Sequence, residues 1–129
     1  MTTTFQGILN FLIYLSSASV LLAIFVAIYV RVTPYKEFKL IAQNNNAAAI
    51  SLGGAVIGFT IPLVASIYYT HSVVEMALWA TITCVVQLLV FVILRRQAPE
   101  IEAGHTASAI MLATFSVAVG ALNAVSISY

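Results

Sequence analysis

Residues 43–69 read QNNNAAAISLGGAVIGFTIPLVASIYY, and this stretch decides the fold. Asparagines open it, and an uncharged apolar run long enough to cross a bilayer follows. Small residues recur at every fourth position of that run, at Gly54, Gly58, Pro62 and Ser66, and so share one face of a helix. The spacing predicts a membrane-spanning helix that another helix approaches closely through Gly54 and Gly58. Gly120, near the end of the chain, is assigned the same packing role.

A related stretch closes the chain and reads GHTASAIMLATFSVAVGALNAVSISY from Gly104 onward. Four positions of the first stretch recur in it at a constant offset of about 60 residues, which indicates an internal duplication: Ala47, Ala49, Ile50 and Leu52 match Ala107, Ala109, Ile110 and Leu112. The predicted repeats cover about 7–69 and about 74–129. Each holds an even number of helices, so the two repeats are expected to point the same way across the membrane.

The composition places the chain in a membrane. Hydrophobic residues make up 62% of its 129 positions and charged residues 7%, with a mean hydropathy of +1.06. A soluble domain carries roughly 25% charged residues, so lipid is the expected solvent. Four segments reach the roughly 20 residues that a spanning helix needs, at about 8–30, 47–69, 74–94 and 106–127. We therefore predict one all-α membrane domain over residues 1–129, with four transmembrane helices built from two parallel two-helix repeats.

The basic residues predict the orientation of these helices. Every Lys and Arg falls in residues 31–46 or 95–105, and an excess of positive charge marks cytoplasmic loops. Both loops are therefore expected in the cytoplasm and both chain termini outside. Pro34 and Pro99 are expected to end the helices that precede these loops. Tyrosines at the predicted interfaces are interpreted as an aromatic belt: Tyr68, Tyr69 and Tyr129 at the outer ends and Tyr35 in the first loop.

Uncharged polar residues inside the spans are the candidates for a solute path. Gln87 and Asn123 carry amides that cannot easily bond within their own helix, Thr60 adds a hydroxyl, and Pro62 frees a backbone carbonyl. We predict that these four residues line a pore. The alternative is that the two amides only join neighbouring helices, because interhelical hydrogen bonds are common structural contacts in membranes.

The second and fourth helices both begin at the predicted cytoplasmic side. Asn46 and Thr106 suit N-cap positions, and each helix N-terminus presents unpaired N–H groups with about half a positive charge. Helix N-termini are ready anion sites. The predicted cytoplasmic vestibule for a small anion consists of Asn45, Asn46, His105, Thr106, Arg31, Arg95 and Arg96. Ordinary helix capping and the inside charge bias explain the same residues without a ligand.

The spans also disfavour several chemistries. No Asp, Glu, Lys, Arg or His falls within a hydrocarbon core, so the sequence predicts no buried acid and disfavours a proton relay or a polyamine-conjugate transporter. His71 and His105 are predicted on opposite sides of the membrane and cannot share a metal. Without a glycine-rich phosphate loop or an activated nucleophile, we expect no enzyme activity, metal, cofactor or nucleic-acid partner. The single cysteine, Cys84, is interpreted as a small buried hydrophobe.

Four motifs resemble the domain of unknown function 350 family, small inner-membrane proteins of bacteria. They are Asn45-Asn46-Ala47-Ala48, Gly58-x-x-Ile61-Pro62-Leu63, Gln87-Leu88-Leu89-Val90-Phe91 and Asn123-Ala124. The resemblance covers nearly the whole chain and implies tandem two-helix repeats in the bacterial inner (plasma) membrane. The second repeat begins His105-Thr106-Ala107-Ser108, where the family tends toward Asn-Thr-Ala-Ala. The resemblance also implies links to envelope-stress proteins, to glutathionylspermidine-synthetase-like enzymes and to conduction of small anions such as superoxide.

The expected function is a passive channel or simple transporter for a small inorganic anion, selective by pore width and an uncharged polar lining. A four-helix bundle fills its own centre, so we expect a homo-oligomer, a dimer first, with the glycine faces at or near the subunit contacts. One alternative is a membrane scaffold that recruits an envelope-stress partner through the charged loops. Another is the polyamine-conjugate transporter.

Overall fold

Helices joined by short turns and loops make up residues 2–127, the part that the computed structural model describes, with side chains from Thr3 onward. Tyr129 lies outside the described residues. The elements in chain order are α1 (Thr2–Val32), α2 (Glu37–Ala42), α3 (Asn46–Thr70), α4 (Val73–Ile93), a 3-10 turn (Arg95–Gln97), α5 (Ala98–Glu102) and α6 (Thr106–Ser126). Of these, α1, α3, α4 and α6 are long and apolar enough to span a membrane, which confirms the predicted all-α fold with four spanning helices. The duplication stays a prediction.

The observed helices lie close to the predicted spans, and α1 differs most. It begins at Thr2 and contains 31 residues, which makes it about 46 Å long, more than the roughly 30 Å of a hydrocarbon core. It ends at Val32, shortly before Pro34, as predicted. The prediction for Pro99 is wrong. Because α4 already ends at Ile93, Pro99 lies in the first turn of α5 and begins a helix there.

The central helix of the bundle is α3, which packs most closely against α6. Gly54 faces Ala113, and Gly58 faces Gly120, so closely that a methyl group added at any of these three glycines would overlap the backbone opposite. Pro62 is buried in α3 and does not interrupt it. Because proline has no N–H, the Gly58 carbonyl lacks its usual helical donor, and this is the carbonyl that Gly120 approaches. The close contacts of the glycine face therefore lie within one chain, between α3 and α6. The sequence had predicted them at or near the contacts between subunits.

The first helix lies at the edge of the bundle. The side chains of its N-terminal half are mostly exposed, and it docks through its C-terminal half. There Phe25 stacks on Phe59 of α3, with ring centroids 4.3 Å apart, and Tyr29 meets Phe91 of α4 edge-on at 5.8 Å. Aromatic pairs of this kind stabilise by about 1 kcal/mol each. The docked half of α1 leads directly into the loop before α2 and so fixes where that loop lies.

Candidate functional site

Every Lys and Arg of the chain gathers where α1 and α4 finish and where α3 and α6 begin, and we call this the basic end. Two connectors build it. The first connector, residues 33–45, contains α2, and the second connector, residues 94–105, contains the 3-10 turn and α5. All the basic side chains here are exposed: Arg31, Lys36, Lys39, Arg95 and Arg96. The predicted vestibule residues thus share one end of the bundle.

Both connectors close in the same backbone turn. Asn44, with φ 63°, and Gly104, with φ 91°, hold equivalent left-handed positions. Two backbone hydrogen bonds of the same kind close each turn: Asn44 to Ile41 (2.9 Å) and Asn45 to Leu40 (2.9 Å) in the first, Gly104 to Ile101 (3.0 Å) and His105 to Glu100 (2.9 Å) in the second. Such a correspondence is what the predicted duplication would produce.

The helix caps lie one residue before the predicted ones. Asn45, not Asn46, is the N-cap of α3, and its side-chain oxygen accepts from the Ala48 N–H over 3.1 Å. His105, not Thr106, is the N-cap of α6, and it makes no side-chain cap bond. A cap needs extended backbone φ and ψ angles, and within each turn the residue after the left-handed position has them. Asn46 and Thr106 are the first helical residues.

The Asn45 side chain also joins the two connectors. Its Nδ2 donates to the Ile101 carbonyl over 3.3 Å and to the Glu102 carbonyl over 3.2 Å. The equivalent residue of the second connector bonds only locally, since the His105 ring pairs with the Glu100 carboxylate and both side chains are exposed. The start of α3 is thereby fixed beside the segment that leads into α6.

Two crevices open at the basic end. The larger has a volume of about 630 Å³ and is lined by Pro34, Tyr35, Phe91, Arg95 and Glu102 among others. The smaller, about 370 Å³, is lined by residues of the first connector, including Lys36 and Lys39, and again by Tyr35 and Glu102. Tyr35 is therefore shared by both crevices, and charges of both signs stand at their walls.

The predicted pore residues Gln87 and Asn123 lie between helices. Gln87 is 1% exposed and donates from Nε2 to the Ser116 carbonyl over 3.0 Å. The Asn123 amide donates to the Thr83 hydroxyl over 3.3 Å. Both amides therefore join α4 to α6, the contact that the alternative interpretation expects. The Gln87 side-chain oxygen has no partner among residues 3–127.

The other two predicted pore residues belong to α3. The Thr60 hydroxyl donates to the Val56 carbonyl of its own helix over 2.7 Å, and Pro62 is buried. None of these contacts uses a group of the basic end. The structure therefore brings the predicted vestibule residues together, and the predicted pore residues make their contacts elsewhere along the helices. A role of these four residues in a path stays a prediction.

The expectation of no buried acid is wrong. Glu37, which opens α2, is 1% exposed. Burial raises its pKa to about 7, against the opposing effect of the Thr33 hydroxyl, which contacts its Oε1. Glu37 lies in α2, outside the four candidate membrane spans, so it does not contradict the prediction that no acid falls within a hydrocarbon core. Sequence reasoning missed Glu37 because it lies outside the apolar spans, where charged side chains are usually exposed.

Tyr35 was also assigned wrongly. The sequence placed it in an aromatic belt at the membrane interface, but it is 4% exposed and its phenol has no hydrogen-bond partner among residues 3–127. Burial raises its pKa to about 12, the nearby Ser51 hydroxyl opposes that rise, and the charges of Glu37 and Glu102 add to it. Tyr68 and Tyr69, at the opposite end of α3, are exposed as a belt requires.

A sequence model of the family described as Domain of Unknown Function (DUF350) matches residues 3–127. The chain belongs to this family. It is similar to the UPF0719 inner membrane protein YjfL of Escherichia coli strain K12, with 32% identity over 123 residues that cover 92% of this chain and 93% of the relative. The protein of the same description from Escherichia coli O157:H7 matches to the same extent. No solved structure matches the chain.

Membership in the DUF350 family confirms the resemblance seen in the sequence motifs. Together with the four apolar helices, it makes the chain an integral membrane protein. The family match spans both connectors, so the basic end lies within the part of the chain that matches the DUF350 family.

Proposed function

We propose that the protein is a passive channel or simple transporter for a small inorganic anion, such as superoxide or a similar oxyanion, in the bacterial inner membrane. The observation that carries this proposal is the bond from the Asn45 amide to the second connector. Through it the N-terminus of α3 lies beside the segment that starts α6, at the end that carries every Lys and Arg. Each helix N-terminus contributes about half a positive charge, and helix N-termini attract anions.

The N-terminus of α6 is the more open of the two. His105 makes no side-chain cap bond and Ala107 is exposed, whereas the equivalent Ala47 in the first turn of α3 is fully buried. The 3-10 turn that carries Arg95 and Arg96 packs against α6. Exposed guanidinium groups and unpaired backbone N–H groups therefore stand at one opening, which suits a mobile anion better than a tightly held one.

The path itself is assigned to a surface between subunits. Gly58 and Gly120 leave no room for even a methyl group between α3 and α6, and the bond from Gln87 to Ser116 holds α4 against α6. That bond must open before the Gln87 amide can meet a solute. We therefore propose a homo-oligomer, a dimer first, and we place the basic end in the cytoplasm and both termini outside, as the charge bias favours.

The test is a flux assay on purified protein in liposomes with chloride, nitrate, sodium and potassium. We expect saturable flux of the anions and none of the cations. Replacing both Arg95 and Arg96 with Gln should reduce anion flux several-fold at low salt and less at high salt, because salt screens exposed charges. The matched control replaces Lys36 and Lys39 with Gln, which removes equal charge from the first connector and should reduce flux less. Absence of selective flux for every ion would refute the proposal.

A membrane scaffold is the second candidate, and one exposed aromatic residue favours it. Phe38 of α2 is 59% exposed and lies between Lys36 and Lys39, an arrangement that offers a partner an aromatic anchor with basic neighbours. If Phe38→Ala abolished function in cells while leaving every ion flux in liposomes unchanged, the scaffold would replace the channel as the better reading of the basic end.

A further inference from the structure

One carboxyl group is buried at the basic end although its residue belongs to a surface connector. Three other buried side chains of α1 and the first connector lie near Glu37, and we call Glu37, Thr33, Tyr35 and Tyr29 the Glu37 cluster. The Thr33 hydroxyl contacts Glu37 directly. Tyr29 and Tyr35 are near enough that the charge of Glu37 acts on both phenols. Tyr29 is held in place by its edge-on contact with Phe91.

The hydrogen atoms available in this cluster favour a proton on Glu37. The Thr33 hydroxyl lies within hydrogen-bond reach of three oxygens, the Val30 carbonyl at 3.2 Å, the Tyr35 carbonyl at 3.3 Å and Glu37 Oε1. Carbonyls and ionised carboxylates only accept, and a hydroxyl has one hydrogen to give. A protonated Glu37 adds the second hydrogen, because its carboxyl can then donate to Thr33 while Thr33 donates to a carbonyl.

The other atoms of the cluster make an ionised Glu37 costly. Glu37 Oε2 and the phenol oxygens of Tyr29 and Tyr35 are buried without a hydrogen-bond partner among residues 3–127. A buried charge with an unpaired oxygen is strongly unfavourable, and a neutral carboxyl group is much less so. Burial accordingly raises the pKa of Glu37 to about 7.

Among residues 3–127, no counter-charge acts on Glu37. The first connector and α1 contribute the two phenols. Ser51 of α3 is uncharged and acts on Tyr35, and its hydroxyl donates to the Ala48 carbonyl over 3.1 Å. From α5, Glu102 acts on Tyr35. Burial raises the pKa of Glu37 and the Thr33 hydrogen bond opposes that rise, and no Lys, Arg or His of the described chain contributes to either effect.

Tyr35 connects the cluster with the outside. It contributes to the cluster and also lines both crevices, beside Arg95 and Glu102 in the larger and beside Lys36 and Lys39 in the smaller. The Tyr35 hydroxyl has no hydrogen-bond partner among residues 3–127. A phenol can accept and donate a hydrogen bond at once, so the hydroxyl would pass a proton between Glu37 and crevice water, without becoming charged, when it bonds to both.

We propose that Glu37 is a proton-binding site that controls passage at the basic end, with Tyr35 as the group through which protons reach it. The proton moves between the Glu37 carboxyl group and water in the crevice, and only that O–H bond forms or breaks. With Glu37 protonated, the five basic side chains of the basic end outnumber the two exposed carboxylates there, those of Glu100 and Glu102. With Glu37 ionised, a buried negative charge opposes an entering anion. The control of passage rests on the function proposed above, whereas the proton site does not.

The proton site is tested by titration of the intact protein. All acidic residues of the chain are glutamates, of which there are 4, so labelling the glutamate side-chain carboxyl carbons with carbon-13 resolves every acid by NMR. We expect one signal to titrate near neutral pH and to be missing in Glu37→Gln. Glu37→Asp also removes the labelled carbon and serves if Glu37→Gln does not fold. The site is overturned if no signal that titrates near neutral pH depends on residue 37.

The control of passage is tested with nitrate flux into liposomes, because nitrate itself does not titrate near neutral pH. Flux through the unchanged protein should fall about tenfold from about pH 6 to about pH 8, as the protonated fraction of a group titrating near neutral pH falls. Glu37→Gln should keep a high flux at both values. Glu100→Gln, an exposed glutamate of the second connector, is the matched control and should keep the tenfold fall.

The outcomes separate the two proposals. A flux that still falls with pH in Glu37→Gln overturns the control of passage by Glu37. Absence of anion flux in every protein overturns the channel and with it the control of passage, while the NMR titration still decides whether Glu37 binds a proton near neutral pH.

Discussion

The two connectors share a backbone and differ in what they bury. Each ends in a left-handed residue, Asn44 or Gly104, followed by an extended cap residue and a spanning helix. The first connector buries a carboxyl group, Glu37, whereas Glu100 of the second connector is exposed. The shared turn therefore precedes a spanning helix in both connectors, whereas the buried carboxyl group of the basic end belongs to the first connector.

The difference follows from what packs against each connector. The last turn of α1 begins at Tyr29, whose ring contacts Phe91 and anchors the helix. The first connector then turns through Pro34, and Thr33 meets Glu37. The second connector packs through its apolar residues Ala98 and Ile101, both buried, and leaves its charges outside. Equivalent backbone turns thus carry a buried polar cluster on one side and an ordinary amphipathic helix on the other.

The largest expected effect is on the pH dependence of stability. The folded protein holds a proton on Glu37 up to about pH 7, and the unfolded chain releases it near 4.5. The folded state therefore binds more protons between about pH 4.5 and about pH 7. The contribution of Glu37 to the free energy of unfolding is full below this range and falls by up to about 3 kcal/mol as the pH rises through it. Glu37→Gln should remove this fall, measured as the free energy of unfolding in detergent micelles across the pH range.

The exposed counterpart serves as the control for this measurement. Glu100→Gln should leave the pH-dependent fall in place, because the Glu100 side chain is exposed and paired with His105. If Glu37→Gln and Glu100→Gln lost the pH dependence equally, the buried and the exposed glutamate would not differ in their effect on stability, contrary to this prediction.

The next effect concerns the caps. Asn45→Ala removes the cap bond to Ala48 and both bonds to the second connector. We expect a loss of about 2 kcal/mol, of which about 1 is the cap and the rest the connector bonds. His105→Ala should cost less than about 0.5 kcal/mol, since exposed residues without such bonds contribute little. Unfolding of the micelle-bound variants by denaturant, followed by near-ultraviolet circular dichroism, gives both values.

Asn46→Ala is the matched control, because Asn46 is exposed and stands next to the cap. It should behave like His105→Ala. If Asn46→Ala cost as much as Asn45→Ala, the cap position inferred from the sequence would be the correct one after all.

Local sequence predicted the spans and missed the Glu37 cluster, for physical reasons. Apolar runs and the placement of charges are properties of short stretches, and α3, α4 and α6 lie within about two residues of the predicted bounds, the ordinary uncertainty of helix ends. The predicted cap of α3 lay one residue too late, because consecutive asparagines all suit a cap. Which of them becomes the cap depends on which one takes the left-handed position.

Burial of Glu37 depends on contacts that no local pattern contains. The only local sign is that Thr33 and Glu37 flank Pro34 and Tyr35, with a polar residue at each end of a turn. Whether that turn is covered is decided by α1 docking on α4 and by the second connector. In the same way, the glycine spacing of α3 predicted a close approach but not that the partner would be α6 of the same chain.

The smallest expected effect tests the shared turn itself. A side chain at Gly104 would meet nothing within 4 Å, so Gly104→Ala can act only through its backbone angle, φ 91°. Because L-residues disfavour this region, the variant should lose about 1 kcal/mol of unfolding free energy. Asn44→Gly, at the equivalent position of the first connector, should be neutral within about 0.5 kcal/mol, since asparagine already tolerates the left-handed region there. If Gly104→Ala left the free energy of unfolding unchanged, the second turn would be able to relax. The helices at the basic end would then not require the same turn geometry in both connectors.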